Sequence, residues 1–151
     1  MNKITPFLWF NANAEDAANF YFSIFPDSRK LDELRVTEAG PGPAGSLLVI
    51  DLEINGQAIT FLNGGPAHQL NEAFSFSIRC ETQEEIDSYW AKLGDGGKEL
   101  GCGWIKDKFG LCWQVVPAGL QEWLRHPAAM RAMMPMMKLE IAPLKAASQV
   151  G

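Results

Sequence analysis

The sequence predicts an α+β chain in which two βαβββ modules follow one another, with C-terminal helices after them. Three observations carry this. Ala14 to Phe25 and the stretch after Cys80 both show helical spacing of apolar residues behind a capping residue and paired acids. Ala73 to Cys80 alternates Phe74, Phe76 and Ile78 with Ser75, Ser77 and Arg79, the two-residue period of a half-buried strand. The order strand, helix, three strands then occurs twice, over about residues 3–65 and 73–117 of a domain spanning 1–117, with 118–151 as the helical extension.

In chain order, Ile4 to Phe10 is a short apolar, β-rich run. Asn13 is placed to cap the first helix, Glu15 and Asp16 sit in its first turn, where free N–H groups favour negative charge, and Pro26 stops it. Lys30 to Thr37 and Leu47 to Ile54 read as strands, separated by EAGPGPAGS, too rich in Gly and Pro for regular structure. Asn55-Gly56 predicts a tight hairpin turn into a strand at Gln57 to Asn63, since both residues tolerate positive φ.

In the second module Thr82-Gln83-Glu84-Glu85 is a capping box, Ile86, Tyr89, Trp90 and Leu93 form one buried helix face, and Gly94 ends that helix. Short strands follow at Lys98 to Leu100, Gly103 to Lys106 and Leu111 to Val116. Asp107 is expected to cap the turn to Gly110 with its own side chain. Beyond Pro117, Gly119 to His126 predicts a short amphipathic helix anchored by Leu120, Trp123 and Leu124. PAAMRAMMPMMKLEIAPLKAA then carries five methionines in eight residues. It predicts one or two helices interrupted at Pro135 and Pro143, packed on the chain's own sheet or a dimer partner, with fraying from about Ala146.

Composition narrows the function classes. At 151 residues, 47% hydrophobic and 21% charged, the chain is long enough to bury a core without staples. A net charge of −5, with no Lys/Arg run longer than two, lacks the basic footprint of a nucleic-acid binder. No window approaches the ~18 apolar residues of a membrane helix, and MNKITPFLWF lacks the apolar core and cleavage site of a secretion signal. Neither nucleic acid nor membrane is an expected partner, and a cytoplasmic location is expected. Cys80, Cys102 and Cys112 are odd in number with no CxxC spacing, which predicts reduced thiols rather than a disulfide framework or a cysteine zinc site.

Five stretches carry a resemblance: ITPFLWF, the helix ending in FYFSIFPDS, FLNGGP at Phe61 to Pro66, FSFSIRCETQEEID at Phe74 to Asp87, and GCGWIKDKFGLCWQVVP from Gly101 to Pro117. In order and spacing they resemble the vicinal oxygen chelate superfamily, which includes glyoxalase I, extradiol dioxygenases and the bleomycin and fosfomycin resistance proteins. Within it the PhnB-like branch, labelled 3-demethylubiquinone-9 3-methyltransferase-like, looks closest, over roughly residues 3–117. The resemblance implies the glyoxalase/bleomycin resistance/dioxygenase fold, with curved mixed sheets forming a cup, and a homodimer that completes or extends it.

It also implies where that superfamily holds a divalent metal, through His, Gln or Glu on the first and last strands of each module. Laid on its D-G-N-x-x-E pattern, Gly110 puts Gln114 at a ligand position, and the same offset from Gly56 points to Thr60. The first-strand positions fall on about Pro6 and Ser75. Proline has no ligand atom, and Thr and Ser hydroxyls are poor donors to a transition metal. A slip of one residue at the first three positions substitutes only Thr5, Phe7, Ile59, Phe61, Phe74 or Phe76. The expectation is a cup without its metal site and without a cofactor.

Candidate site residues follow. Strand alternation puts Cys112, Gln114 and Val116 opposite Trp113 and Val115, so Cys112 and Gln114 are expected to face the cup. Gln114 would hydrogen-bond a substrate carbonyl or hydroxyl, or satisfy neighbouring backbone. Cys102, in the motif resembling CGWxxDxxG, is a nucleophile only if a cation such as Lys106 or a helix N-terminus activates it; otherwise it is structural. His68, on the loop GGPAHQL, is a candidate general base or a solvated side chain. Trp9 and Trp104 are cavity walls or core. Asn63 positions a ligand or stabilises its turn, and Thr60, Ser75 and Cys112 complete the ligand-binding set.

Four functional classes remain open: a PhnB-like protein binding a small oxygenated or aromatic metabolite, with or without catalysis; a metal-dependent lyase or dioxygenase of the glyoxalase type; sequestration of a drug or metabolite; and the methyltransferase of the family label. Against the last, no Gly-rich turn opens either helix.

Overall fold

A computed structural model describes residues 3–150. The chain divides after Leu70 into two compact units. In the first, β1 (Phe7–Phe10), α1 (Ala14–Ile24), β2 (Arg29–Arg35), β3 (Leu47–Ile54) and β4 (Gln57–Asn63) build a four-stranded sheet of order β1-β4-β3-β2. In the second, β5 (Ser75–Cys80), α2 (Gln83–Gly94), β6 (Lys98–Gly101), β7 (Trp104–Lys106) and β8 (Cys112–Pro117) build β5-β8-β7-β6. The second sheet is the first with every index raised by four, so the repeat read in the sequence is a repeat of topology. In each, the first and last strands pair in parallel and the rest antiparallel.

The first core is a two-layer contact. Ala14, Ala17, Ala18, Tyr21 and Ile24 of α1 are buried, as are Leu8, Phe10, Ile50, Leu52, Ile59 and Phe61 of the sheet. The Phe61 ring lies 4.8 Å from Phe10 and 5.9 Å from Tyr21. Small alanines on the helix let it approach closely enough for these large rings to fill the gap. β2, an edge strand reading RKLDELR, is charged and exposed, which discourages pairing with another chain. Asn55 (φ 46) and Gly56 (φ 84) form the two-residue turn their identities predict.

Three local expectations are corrected. The first strand is shorter than Ile4 to Phe10, because Pro6 has no N–H to give a ladder; its carbonyl accepts the Thr60 N–H at 2.9 Å. Asn13 makes no side-chain cap. Asn63 Oδ1, from the end of β4, accepts the Ala14 N–H at 2.9 Å instead, while its Nδ2 donates to Leu47 O at 3.1 Å. One amide thus ties α1, β3 and β4 together. Pro143 does not interrupt a helix: it is the third residue of α5 (Ile141–Ala147), where an N–H has no intrahelical partner to lose. Beyond Ala146, where fraying is expected, Ser148, Gln149 and Val150 donate backbone bonds to residues 144–147.

In the second unit Thr82 Oγ1 accepts the Glu85 N–H at 3.2 Å, and Glu85 returns a bond to the Glu81 N–H at 2.9 Å. This is the predicted capping box, with its return bond one residue early. Ile86, Trp90 and Leu93 of α2 are buried with Ile105, Trp113 and Val115 of the sheet. Trp90 keeps its indole N–H satisfied on Glu99 at 2.8 Å. The Asp107 turn forms as predicted: its carboxylate accepts the N–H groups of Phe109 (2.8 Å) and Leu111 (3.2 Å) and the indole of Trp113 (2.8 Å).

The segment after Pro117 packs on this second unit. The predicted helix from Gly119 shrinks to one turn, α3 (Leu120–Trp123), followed by α4 (Pro127–Met133) and α5. Its anchors are Ala129, Leu139 and Leu144, all fully buried, whereas Met130, Met134 and Met137 are exposed. Gln83 clasps it, donating to Leu139 O at 3.1 Å and accepting the Ile141 N–H at 2.8 Å. Cys102 and Gly103 add N–H bonds to the carbonyls of Met136 and Met137. Gly103 has φ 84, and a Cβ there would lie 2.8 Å from Leu139 and 3.1 Å from Val115 O. Gly103→Ala is therefore expected to destabilise by about 2 kcal/mol, from positive-φ strain and displacement of Leu139. Urea denaturation followed by circular dichroism checks it; an unchanged midpoint would show that the segment shifts without cost.

Candidate functional site

The ladder registers sort the candidate residues. On the sheet face of the first unit opposite α1, one cross-strand row reads Phe7, Thr60, Asp51 and the next reads Trp9, Leu62, Val49. Phe7, not Pro6, therefore shares Thr60's row. Thr60 is buried, and its hydroxyl donates to Asp51 Oδ1 at 2.7 Å. Asp51 was missed in the sequence, yet hairpin arithmetic identifies it: a two-residue turn pairs 54 with 57, and hence 51 with 60.

The parallel ladder runs on past β4. Gly64 and Gly65 donate their N–H groups to Phe10 and Asn11 carbonyls at 2.9 and 3.0 Å, which lays this turn beside β1. Trp9 Nε1 then donates to Gly65 O at 2.8 Å. The Trp9 ring lies so tightly over Gly64 that any Cβ there would collide with it. His68, exposed on the following loop, meets Trp9 edge-on with centroids 4.8 Å apart. So the structure brings together three predicted residues, Trp9, Asn63 and His68, at one end of the first sheet. Trp9 and Asn63 border a cavity of 620 Å³, whose apolar walls include Leu62, Leu48, Val36, Pro41 and Pro43. The Gly- and Pro-rich segment that the sequence showed only as a linker supplies one of those walls.

In the second unit, Gln114 is flanked by Ser77 on β5 and Trp104 on β7, while Ser75 is paired with Cys112, and Cys112 with Lys106. Ser77 rather than Ser75 is thus the ladder partner of Gln114, although the Gln114 amide reaches diagonally to donate to Ser75 Oγ at 3.0 Å. Gln114, Ser75, Trp104 and Cys112 share the face opposite Ile105, Trp113 and Val115. Lys106 pairs with Glu72 at 2.9 Å, which lowers the Glu72 pKa and raises that of Lys106.

The thiols are placed against nucleophilic use. Cys102 (φ 53) turns its Sγ toward the carbonyls of Met133 and Met134, at 3.8 and 3.5 Å, at the C-terminal end of α4. Lys106, the cation expected to activate it, is taken by Glu72. Burial pushes the Cys112 thiol up, with the Glu72 charge adding to it. Burial, then Glu85 and Glu81, push Cys80 up to about 12. A folded-state pKa above the free value of 9.0 means that the unfolded thiol ionises first, so stability is expected to fall as pH rises from 9 toward 12. Denaturation midpoints across that window, against Cys80→Ala, check the sign: the alanine variant should show the shallower decline.

A divalent metal of the kind the superfamily uses does not fit this donor set. The first unit offers at the matching rows a phenyl ring, a hydroxyl and one carboxylate that already bond each other through Thr60 and Asp51; the second offers serines, one amide and a buried, protonated thiol. Among the described residues no three His, Cys, Asp or Glu side chains gather into a metal-holding group. No helix among them is long and apolar enough to cross a membrane.

Comparison with known proteins supplies the family. No curated protein matches the chain. A PhnB protein from Bacillus cereus, itself named only provisionally as a 3-demethylubiquinone-9 3-methyltransferase, has 36% identity and a TM-score of 0.68, over 77% of this chain and 98% of its own. A protein from Pseudomonas aeruginosa has 21% identity and a TM-score of 0.62, over 78% and 97%. The fosfomycin resistance protein FosX from Listeria monocytogenes, solved in mutant form with Mn(II) and a dihydroxypropylphosphonic acid, has 16% identity and a TM-score of 0.60, over 82% and 99%, a likeness of fold alone. The family model described as 3-demethylubiquinone-9 3-methyltransferase matches residues 2–116, and on that match the chain belongs to this PhnB-like family of the vicinal oxygen chelate superfamily.

Proposed function

We propose that this protein binds a small aromatic or oxygenated metabolite beside Trp9, without a metal ion, acting as a homodimer in the cytoplasm. The cavity of 620 Å³ walled by the Trp9 indole carries the reading. Its volume lies in the range that encloses a drug-sized ligand, and an indole fixed by Gly64 and Gly65 offers a flat wall already ordered before binding. Asn63 lends it no free amide of the simplest kind, since both ends of its side chain already hold the fold. Exposed apolar Phe7 and Leu34 support a partner copy.

The methyltransferase of the family's description finds little support in the backbone. The strand-to-helix turns before α1 and α2 contain no glycine, and parallel pairing is confined to β1 with β4 and β5 with β8. These do not fit the Gly-rich turn of a Rossmann-like S-adenosylmethionine site.

The test is native mass spectrometry of protein purified without chelator or metal resin, with metal analysis of the same sample. The expected result is a dimer without stoichiometric metal, retaining an organic mass that Trp9→Ala loses. A full equivalent of zinc, nickel, manganese or iron overturns the metal-free reading and restores lyase or dioxygenase chemistry.

A further inference from the structure

We infer that the cavity beside Trp9 selects a cationic ligand, an ammonium or a positively charged aromatic ring, over neutral and anionic molecules of the same shape. The inference rests on the proposed binding reading and names the substrate class of that same site.

Three features of the lining carry it. Glu15 is the only charged side chain that borders the cavity, and no Lys, Arg or His borders it among the described residues. Glu15 is only loosely neutralised: Arg35 lies 3.6 Å from it but 2.9 Å from Glu33, and also donates to Gly45 O at 3.2 Å. Lys30 also pairs with Glu33 at 2.7 Å, so the four groups balance in charge, but both cations lie off the cavity lining and Glu15 alone presents its charge there. Trp9 borders the cavity, and indole is the side chain whose π-face attracts a cation most strongly; Pro41 and Pro43 add apolar surface that does not compete for the charge.

Asn63 aside, the other polar side chains, those of Asn11 and Ser46, carry no charge of either sign, so they can hold a hydroxyl or carbonyl edge without favouring an anion. An anionic ligand would meet Glu15 with no cation on the lining to offset it. A positively charged one would gain both the carboxylate and the ring.

The probes are benzyltrimethylammonium, its neutral carbon isostere neopentylbenzene, and naphthoate, titrated calorimetrically into the intact chain. The cation is expected to bind about tenfold more tightly than the isostere, and naphthoate more weakly than either. Glu15→Gln should remove most of that preference while leaving the isostere's affinity unchanged, and Trp9→Phe should weaken both. Equal affinity for cation and isostere, or tighter binding of naphthoate, overturns the charge selection but leaves the site standing. Binding of all three that is indifferent to Trp9→Phe and Trp9→Ala, or no binding by any of them, overturns the site reading together with it.

Discussion

Asp107→Ala is expected to be the most damaging single substitution in the fold, costing about 4 kcal/mol. The carboxylate is 3% exposed and accepts three donors: the N–H groups of Phe109 and Leu111 and the Trp113 indole. Truncation strands all three, two of them in buried surroundings, and each unsatisfied donor costs its own desolvation. Asp107→Asn keeps one acceptor oxygen and should lose roughly half as much. Urea denaturation read by circular dichroism measures both. A loss below about 1 kcal/mol for the alanine variant would mean that water replaces the carboxylate, and the turn would then not depend on it.

Gly64→Val is expected to abolish binding at the Trp9 cavity as fully as Trp9→Ala does. Any Cβ at residue 64 collides with the Trp9 ring, so the indole must leave the position in which it donates to Gly65 and borders the cavity. Truncating a central aromatic wall typically weakens a ligand at least tenfold, and displacing it should do the same. Titration of benzyltrimethylammonium into both variants provides the measurement, with circular dichroism confirming that they remain folded. If Gly64→Val binds as the unaltered chain does, the ring's placement is irrelevant to binding, and the site must be sought on the Gln114 face instead.

The two predictions differ in how far the sequence foretold them. An Asp three residues before a turn glycine reads as a cap without a structure, because the bonds involved span at most a few residues. The additional acceptor role toward Trp113 also lies within one hairpin. The Trp9 cavity is assembled from residues within 9–15, 36–48 and 62–65, and nothing local to any of these segments reveals the others. Asn63 makes the same point. Capping of α1 was assigned to its neighbour Asn13 on sequence grounds, whereas the side chain that accepts the Ala14 N–H arrives from β4. A capping rule counts positions along the chain, but the parallel pairing of β1 with β4 puts a distant amide closer to the helix start.

The metal positions show an intermediate case. That imidazoles and carboxylates are absent from these strands is evident from composition, and the register only adjusts which neutral residue occupies each place: Phe7 for Pro6, Ser77 for Ser75. The Cys102 environment, by contrast, was undetermined until the chain after Pro117 came back to it. Its thiol faces carbonyls of residues 133 and 134, more than thirty positions on.

The sequence by itself determined the two βαβββ modules, the turn at Asn55-Gly56, the cap at Thr82 and the Asp107 hairpin, because periodicity, capping and positive-φ preference act over fewer than ten residues. Only the tertiary structure decided which side chains share a row, which amide caps α1, where the Gly/Pro segment lies and what faces Cys102. Those depend on strand register and on the packing of distant segments, where burial and hydrogen-bond satisfaction across the fold outweigh any local preference.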